Sequence, residues 1–128
     1  RWISKVKKDI GIPIVGNGGV VDGPTAEKML DICDGAMVAS AAIGNPFVFR
    51  EILRYLKTGK EKEITKFERI KGFMDYIKIA EKYDVFEMSR VKYVGSNFLK
   101  GFEGASSSRE KLMKFKTLTD VNALLKSL

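Results

Sequence analysis

Two short apolar runs, each closed by a loop of small residues, leave this chain few ways to fold. Ile12-Pro13-Ile14-Val15 reads as a buried strand, and Gly16-Asn17-Gly18-Gly19 turns sharply at its end. Ala26, Met29, Leu30 and Cys33 then lie along one helical face, with Asp22-Gly23-Pro24-Thr25 as the start signal. Gly35-Ala36-Met37-Val38-Ala39 is a second short strand, closed by Ser40-Ala41-Ala42-Ile43-Gly44. Strand, glycine loop, helix, strand, small-residue loop is the order of a parallel βαβ unit. Two parallel strands do not make a stable sheet alone, because such sheets need both faces covered. This piece is therefore expected to belong to a larger barrel or sheet, or to pair with a second copy as a homodimer through its exposed strand edges.

The flanking segments read as helices. Trp2, Ile3, Val6 and Ile10 sit at helical spacing, and Gly11 stops that helix. From Asn45-Pro46 onward the pattern is helical only. A first helix runs through Phe49, Ile52, Leu53 and Leu56 to Thr58-Gly59-Lys60. Thr65 with Glu68 fits a capping box opening a helix through Phe73, Ile77 and Ala80. Asp84 is the expected start of the next, carrying Met88, Val91, Val94 and Leu99. Residues 100–107 read as a turn, and Arg109–Lys114 and Asp120–Leu128 as closing helices, the last capped by Thr119-Asp120. The polar stretch 57–65 marks the boundary between the two parts.

Charge divides the chain at nearly the same place. Residues 1–49 carry five basic and five acidic side chains, so the whole net charge of +7 lies in residues 50–128. Such an excess concentrates polyanions and suits contact with phosphate backbones, although a solvated lysine-rich helical surface would look the same. The chain has no histidine, which excludes imidazole acid–base chemistry within it, and with one cysteine a zinc site is not expected. Cys33 has no partner for an internal disulfide, so a reducing compartment is the default. No apolar run approaches the roughly 18–20 residues that span a bilayer, no leader is evident, and the expected location is the cytoplasm.

Two constellations could carry binding chemistry. Glycines after a parallel strand let backbone N–H groups approach an anion, and a following helix N-terminus adds partial positive charge. The loop Ala39-Ser40-Ala41-Ala42 offers close backbone approach and the Ser40 hydroxyl. In a β/α barrel, the loops after the last two strands commonly hold phosphate groups. The pair therefore points toward a ligand bearing phosphate.

Ile12 to Gly19, Asp34-Gly35-Ala36-Met37-Val38 and Ile43-Gly44-Asn45-Pro46-Phe47-Val48-Phe49, in this order, resemble the tRNA-dihydrouridine synthases. Phe98-Leu99-Lys100-Gly101-Phe102-Glu103-Gly104, with Arg109 and Leu112, resembles that family's C-terminal helical region. The resemblance implies an α/β fragment of a TIM barrel, its last βαβ unit, followed by an all-α helical bundle domain. Residues 1–57 would be the end of an FMN-binding barrel and residues 58–128 a tRNA-binding domain. It implies that Asn17, Gly18 and Gly19 contact the FMN phosphate, with Ala39 and Ser40 where the family usually has a Gly-Arg pair. Serine there keeps a donor but removes a bidentate cation. Gly19 likewise stands where an acidic residue is common.

The activity implied is reduction of uridine in tRNA to 5,6-dihydrouridine, with NADPH reducing FMN. No catalytic residue is carried over, because the family's general-acid cysteine lies on the loop of an earlier barrel strand; Cys33 is expected to be structural. The fragment alone is accordingly expected to be inactive. Lys92, Lys100 and Arg109 are the leading candidates for tRNA phosphate contacts, followed by Lys111, Lys114 and Lys116. The rival readings are another FMN-dependent barrel oxidoreductase, of the dihydroorotate dehydrogenase kind, and a non-catalytic RNA-binding module.

Overall fold

A computed structural model describes residues 2–128, and Arg1 lies outside the described residues. The elements follow in the order α1 (Trp2–Asp9), β1 (Val15–Asn17), α2 (Gly23–Leu30), β2 (Gly35–Met37), a 3-10 turn at Ser40–Ala42, and α3 (Val48–Thr58). Then come α4 (Lys66–Lys82), α5 (Met88–Phe98), α6 (Ala105–Lys114) and α7 (Leu118–Ser127). The chain divides into two compact units, Arg1–Glu63 and Ile64–Leu128, within the polar stretch noted above.

In the first unit β1 and β2 pair in parallel, with Val15 opposite Gly35 and Asn17 opposite Met37. The first strand begins at Val15, three residues later than its apolar run suggests. Pro13 has no N–H to give a ladder, and the neighbouring Ile14 is engaged differently. Its N–H donates to the Asp34 carboxylate at 2.9 Å, and its carbonyl accepts from the amides of Asp34 and Gly35. Lys7 pairs with the same carboxylate at 3.0 Å. The Ile14 amide and then Lys7 hold the Asp34 carboxyl below its ordinary value. Val20, Ala26, Val48 and Ile52 form the core of this unit. Gly16 lies against α2 so closely that a β-carbon would fall 2.3 Å from Met29 Sδ and 2.6 Å from Cys33 Sγ. The opposite face of the strand pair, with Val15 and Met37, is exposed.

α3 starts at Val48 rather than at Asn45-Pro46. The Asn45 carbonyl instead accepts from the Val48 amide in a preceding turn, and Gly59 in the left-handed region ends the helix.

In the second unit, α4–α7 enclose one core of Phe73, Ile77, Val91, Phe98, Leu99 and Leu112, continued by residues of α7. Phe73 and Phe98 stack with ring centroids 5.6 Å apart. α4 opens with the anticipated Thr65/Glu68 capping box. Asp84, expected to begin the next helix, terminates α4 instead. It adopts φ 52°, and the Val85 amide reaches back to the Ala80 carbonyl at 2.9 Å. That is the left-handed closure of a helix C-terminus, which Asp tolerates better than most residues. α6 begins at Ala105 rather than Arg109, and α7 is capped by Thr117, whose hydroxyl accepts from the Asp120 amide.

Candidate functional site

Parallel pairing settles which way the two small-residue loops face. Asn17 and Met37, the last residues of β1 and β2, are partners in the register. The chain therefore leaves both strands at the same edge, into Gly18-Gly19 on one side and Val38-Ala39-Ser40 on the other. Gly18 and Gly19 have φ of 121° and 69°, conformations that an L side chain rarely adopts, and β-carbons there would meet nothing within 4 Å. Asn17, Gly18, Gly19, Ala39 and Ser40 are all exposed.

The second loop is a single 3-10 turn. Its bonds run from the Ala42 amide to the Ala39 carbonyl at 3.0 Å and from the Ile43 amide to the Ser40 carbonyl at 3.2 Å. The amides of Ser40 and Ala41 consequently have no partner within the turn. Ala39 provides no side-chain cap. Small residues point to close backbone approach here, but Ser-Ala-Ala carries no helix signal, so the sequence does not show which amides the turn leaves without a partner.

The start of α2 carries the expected cap, and that cap bears on whether the helix end is open to an anion. Asp22 caps it, its carboxylate accepting from the Thr25 amide at 2.9 Å and from the Thr25 hydroxyl at 2.7 Å. The Thr25 hydroxyl in turn accepts from the Asp22 and Val21 amides. An internal anion already occupies this helix end, so the positive end of α2 does not serve an external one.

Cys33 is buried, its thiol donating to Met29 Sδ at 3.7 Å. It fills the space under Gly16. Among the described residues, no group of His, Cys, Asp or Glu could hold a metal ion. An apolar groove of about 250 Å³ runs along Leu30, Ala36, Val38, Phe49, Leu53 and Leu56. It is built for packing rather than polar recognition.

In the second unit, two of the three leading cations are engaged internally. Lys92 donates to the Met113 carbonyl at 2.9 Å, and Arg109 to the Leu99 carbonyl at 2.8 Å. Each thereby satisfies a carbonyl at or near the end of a helix. Lys100 is exposed and donates to Asn97 Oδ1 at 2.7 Å. Arg69 was not singled out from sequence. Its Nε is buried without a hydrogen-bond partner, and burial lowers the guanidinium from its ordinary value while leaving it charged.

A family model described as dihydrouridine synthase (Dus) matches residues 1–127. A "Probable tRNA-dihydrouridine synthase 1" of Synechocystis sp. is 28% identical over 129 residues, covering 98% of this chain and 36% of that protein. The tRNA-dihydrouridine synthase B proteins of Proteus vulgaris and Escherichia coli K12 are 43% and 42% identical over 60 residues. Those matches cover 45% of this chain and 19% of each relative. The chain thus spans little more than a third of the first relative's length.

Proposed function

This chain belongs to the dihydrouridine synthase family, and we propose that it forms part of a flavin-dependent tRNA-dihydrouridine synthase, which reduces uridine in tRNA to 5,6-dihydrouridine. Residues 1–57 would complete an FMN-binding TIM barrel, and residues 58–128 would form a helical bundle domain that holds tRNA. The observation that carries this reading is the parallel register of β1 and β2, which brings both small-residue loops to one edge. Phosphate sites of β/α barrels commonly use such a pair of loops.

The groups present fit a phosphate monoester. In this reading the Asn17 side chain, the glycine turn, the Ser40 hydroxyl and the Ser40 and Ala41 amides, which lack a partner within the 3-10 turn, would be the donors to that anion. Ala39 and Ser40 bring no cation, so binding would rest on uncharged donors to the phosphate, without the bidentate ion pair that an arginine adds. When bound, FMN supplies hydride chemistry toward the uracil ring, with NADPH as reductant. The loops of this chain would anchor the phosphate end and set how far the cofactor reaches across the barrel. Cys33 cannot act as the general acid, because it is buried beneath Gly16. In this reading the proton donor is a cysteine on another strand's loop, outside these residues. The target uridine must leave its stack for its reactive carbons to be reached, which calls for a surface that grips folded RNA by its backbone.

The family match extends through the basic second unit, which favours the tRNA enzyme over a barrel oxidoreductase acting on a small molecule. The exposed faces of Val15 and Met37 would be covered by the other barrel strands, or by a second copy when this segment stands alone. The cytoplasm, where tRNA is available, is the proposed place of action; no helix among the described residues is long and apolar enough to cross a membrane.

The test is a fluorescence titration of the chain with FMN and with riboflavin, which lacks the phosphate. The chain is expected to purify colourless yet to prefer FMN by about tenfold, as one or two extra hydrogen bonds would give. Ser40→Asp, which adds a carboxylate beside the anion, should abolish that preference. Equal binding of FMN and riboflavin by the unaltered chain would refute the phosphate assignment.

A further inference from the structure

Four cations gather around the short loop that joins α5 to α6. A β-carbon built on Gly101 would lie 3.8 Å from a terminal nitrogen of Arg69, so the guanidinium lies directly against this loop. Lys66 Nζ sits 5.4 Å from the centroid of the Phe102 ring. Arg109 holds the Leu99 carbonyl at the start of the loop, and Lys100 belongs to the loop itself.

Among the described residues, no ion pair joins a carboxylate to Arg69, Lys66, Lys100 or Arg109. Glu68, one residue before Arg69, is folded back onto the Thr65 amide and hydroxyl. Glu103 is exposed at the loop's far end. Arg69 makes no ion pair among the described residues, and its Nε is buried and unsatisfied. Burial lowers the guanidinium from its ordinary value.

A partly buried guanidinium without a partner is costly. It is tolerable where an anion from outside completes it. The planar fork of arginine matches two oxygens of one phosphate. The left-handed turn at Gly101, with φ 76° and no side chain, keeps the approach to that fork open. With Arg109 bracing the loop, Arg69, Lys66 and Lys100 remain as three cations spread along it, which suits the successive phosphates of a polynucleotide better than one phosphate monoester.

We propose that Arg69, with Lys66 and Lys100 beside it and Arg109 bracing the loop, forms a binding site for the sugar–phosphate backbone of RNA over Leu99–Gly104. Arg69 is the contact that grips one phosphate; Lys66 and Lys100 meet its neighbours. The assignment rests on the reading of the second unit as a tRNA-holding domain, and it names where on that unit the backbone lies.

The experiment measures binding of fluorescein-labelled tRNA to the full chain at several salt concentrations, for the unaltered protein, Arg69→Gln, Arg69→Lys and Lys78→Gln. Lys78 is an exposed lysine elsewhere on α4 and serves as the control. Amide NMR shifts of Gly101 and Phe102 on adding inorganic tripolyphosphate provide a second readout. Arg69→Gln should weaken tRNA binding at least tenfold and flatten the salt dependence by about 0.7–0.9 per lost phosphate contact. Arg69→Lys should recover part of the affinity, and Lys78→Gln should change it less than twofold.

If Arg69→Gln binds tRNA like Lys78→Gln, the site is overturned while the tRNA reading survives. If no variant binds tRNA yet tripolyphosphate shifts Gly101 in an Arg69-dependent way, the anion site stands and its assignment to RNA falls. Shifts absent or independent of Arg69, with no tRNA binding, overturn the site altogether. Should Arg69→Gln fail to fold by circular dichroism, the exposed pair Lys66→Gln and Lys100→Gln takes its place, with the same tenfold loss expected and no loss counting against the site.

Discussion

Replacing Gly95 by alanine should destabilise the second unit, although alanine is the better helix former. Gly95 lies inside α5, where the change would by itself stabilise the helix by about 1 kcal/mol. Against this stands the ring of Phe73. A β-carbon at position 95 would fall 2.1 Å from its Cζ and 2.6 and 2.8 Å from its two Cε atoms, when ordinary contact begins at 3.4 Å. Phe73 is fully buried and stacked on Phe98, so the ring must push its neighbour or the two helices must part. Forcing an extra methyl into a packed core costs roughly 1–3 kcal/mol, and three overlapping ring atoms put this case at the upper end. The net loss is about 1–2 kcal/mol. For a unit of this size that lowers the melting temperature by roughly 4–16 °C.

The assay is thermal unfolding followed by circular dichroism, with Phe73→Leu and the double variant completing a cycle. Trimming the ring alone should destabilise by opening space, but trimming it in the Gly95→Ala background should cost less, with a coupling of about 0.5–3 kcal/mol. A Gly95→Ala protein that melts at or above the unaltered temperature, or a cycle without coupling, would show slack around Phe73 and refute the argument.

Two further perturbations address the first unit. Asp22→Ala removes the side chain that accepts from the Thr25 amide and should cost about 1 kcal/mol, read by denaturant unfolding. Asp34 titrates in the folded protein below its ordinary value of 3.8, through the Ile14 amide and then Lys7. A lowered folded value means its stabilisation is present above 3.8 and disappears as pH falls through the lower value. The unaltered protein should therefore lose melting temperature more steeply than Asp34→Asn below that pH, and identical acid limbs would contradict the assignment.

Much of the fold was legible because its signals are local. Small residues after an apolar run announce a tight turn, Asp22 with Pro24 announces a helix start, and Thr65 three residues before Glu68 announces another. Each depends on hydrogen bonds within a few residues. Where two local meanings compete, the sequence is silent. Asp84 can open a helix or close one in the left-handed region, and the bond from the Val85 amide back to Ala80 decides for closure. Thr117 and Thr119 are both plausible caps, and only Thr117 stands three residues before the Asp120 amide it accepts from.

From its residue order alone, this chain determined a βαβ unit with two loops of small residues, followed by helices that carry all of the net positive charge. Those properties follow from backbone sterics, helical periodicity and side-chain ionisation, which need no distant partner. Tertiary structure alone decided which donors stay free. Lys92 and Arg109 are spent on helix-end carbonyls, and Arg69, unremarkable in the sequence, is left half-buried without an ion-pair partner among the described residues. The physical reason is that a charged group's availability depends on what folding brings within about 4 Å of it, and residues far apart in the chain supply those neighbours.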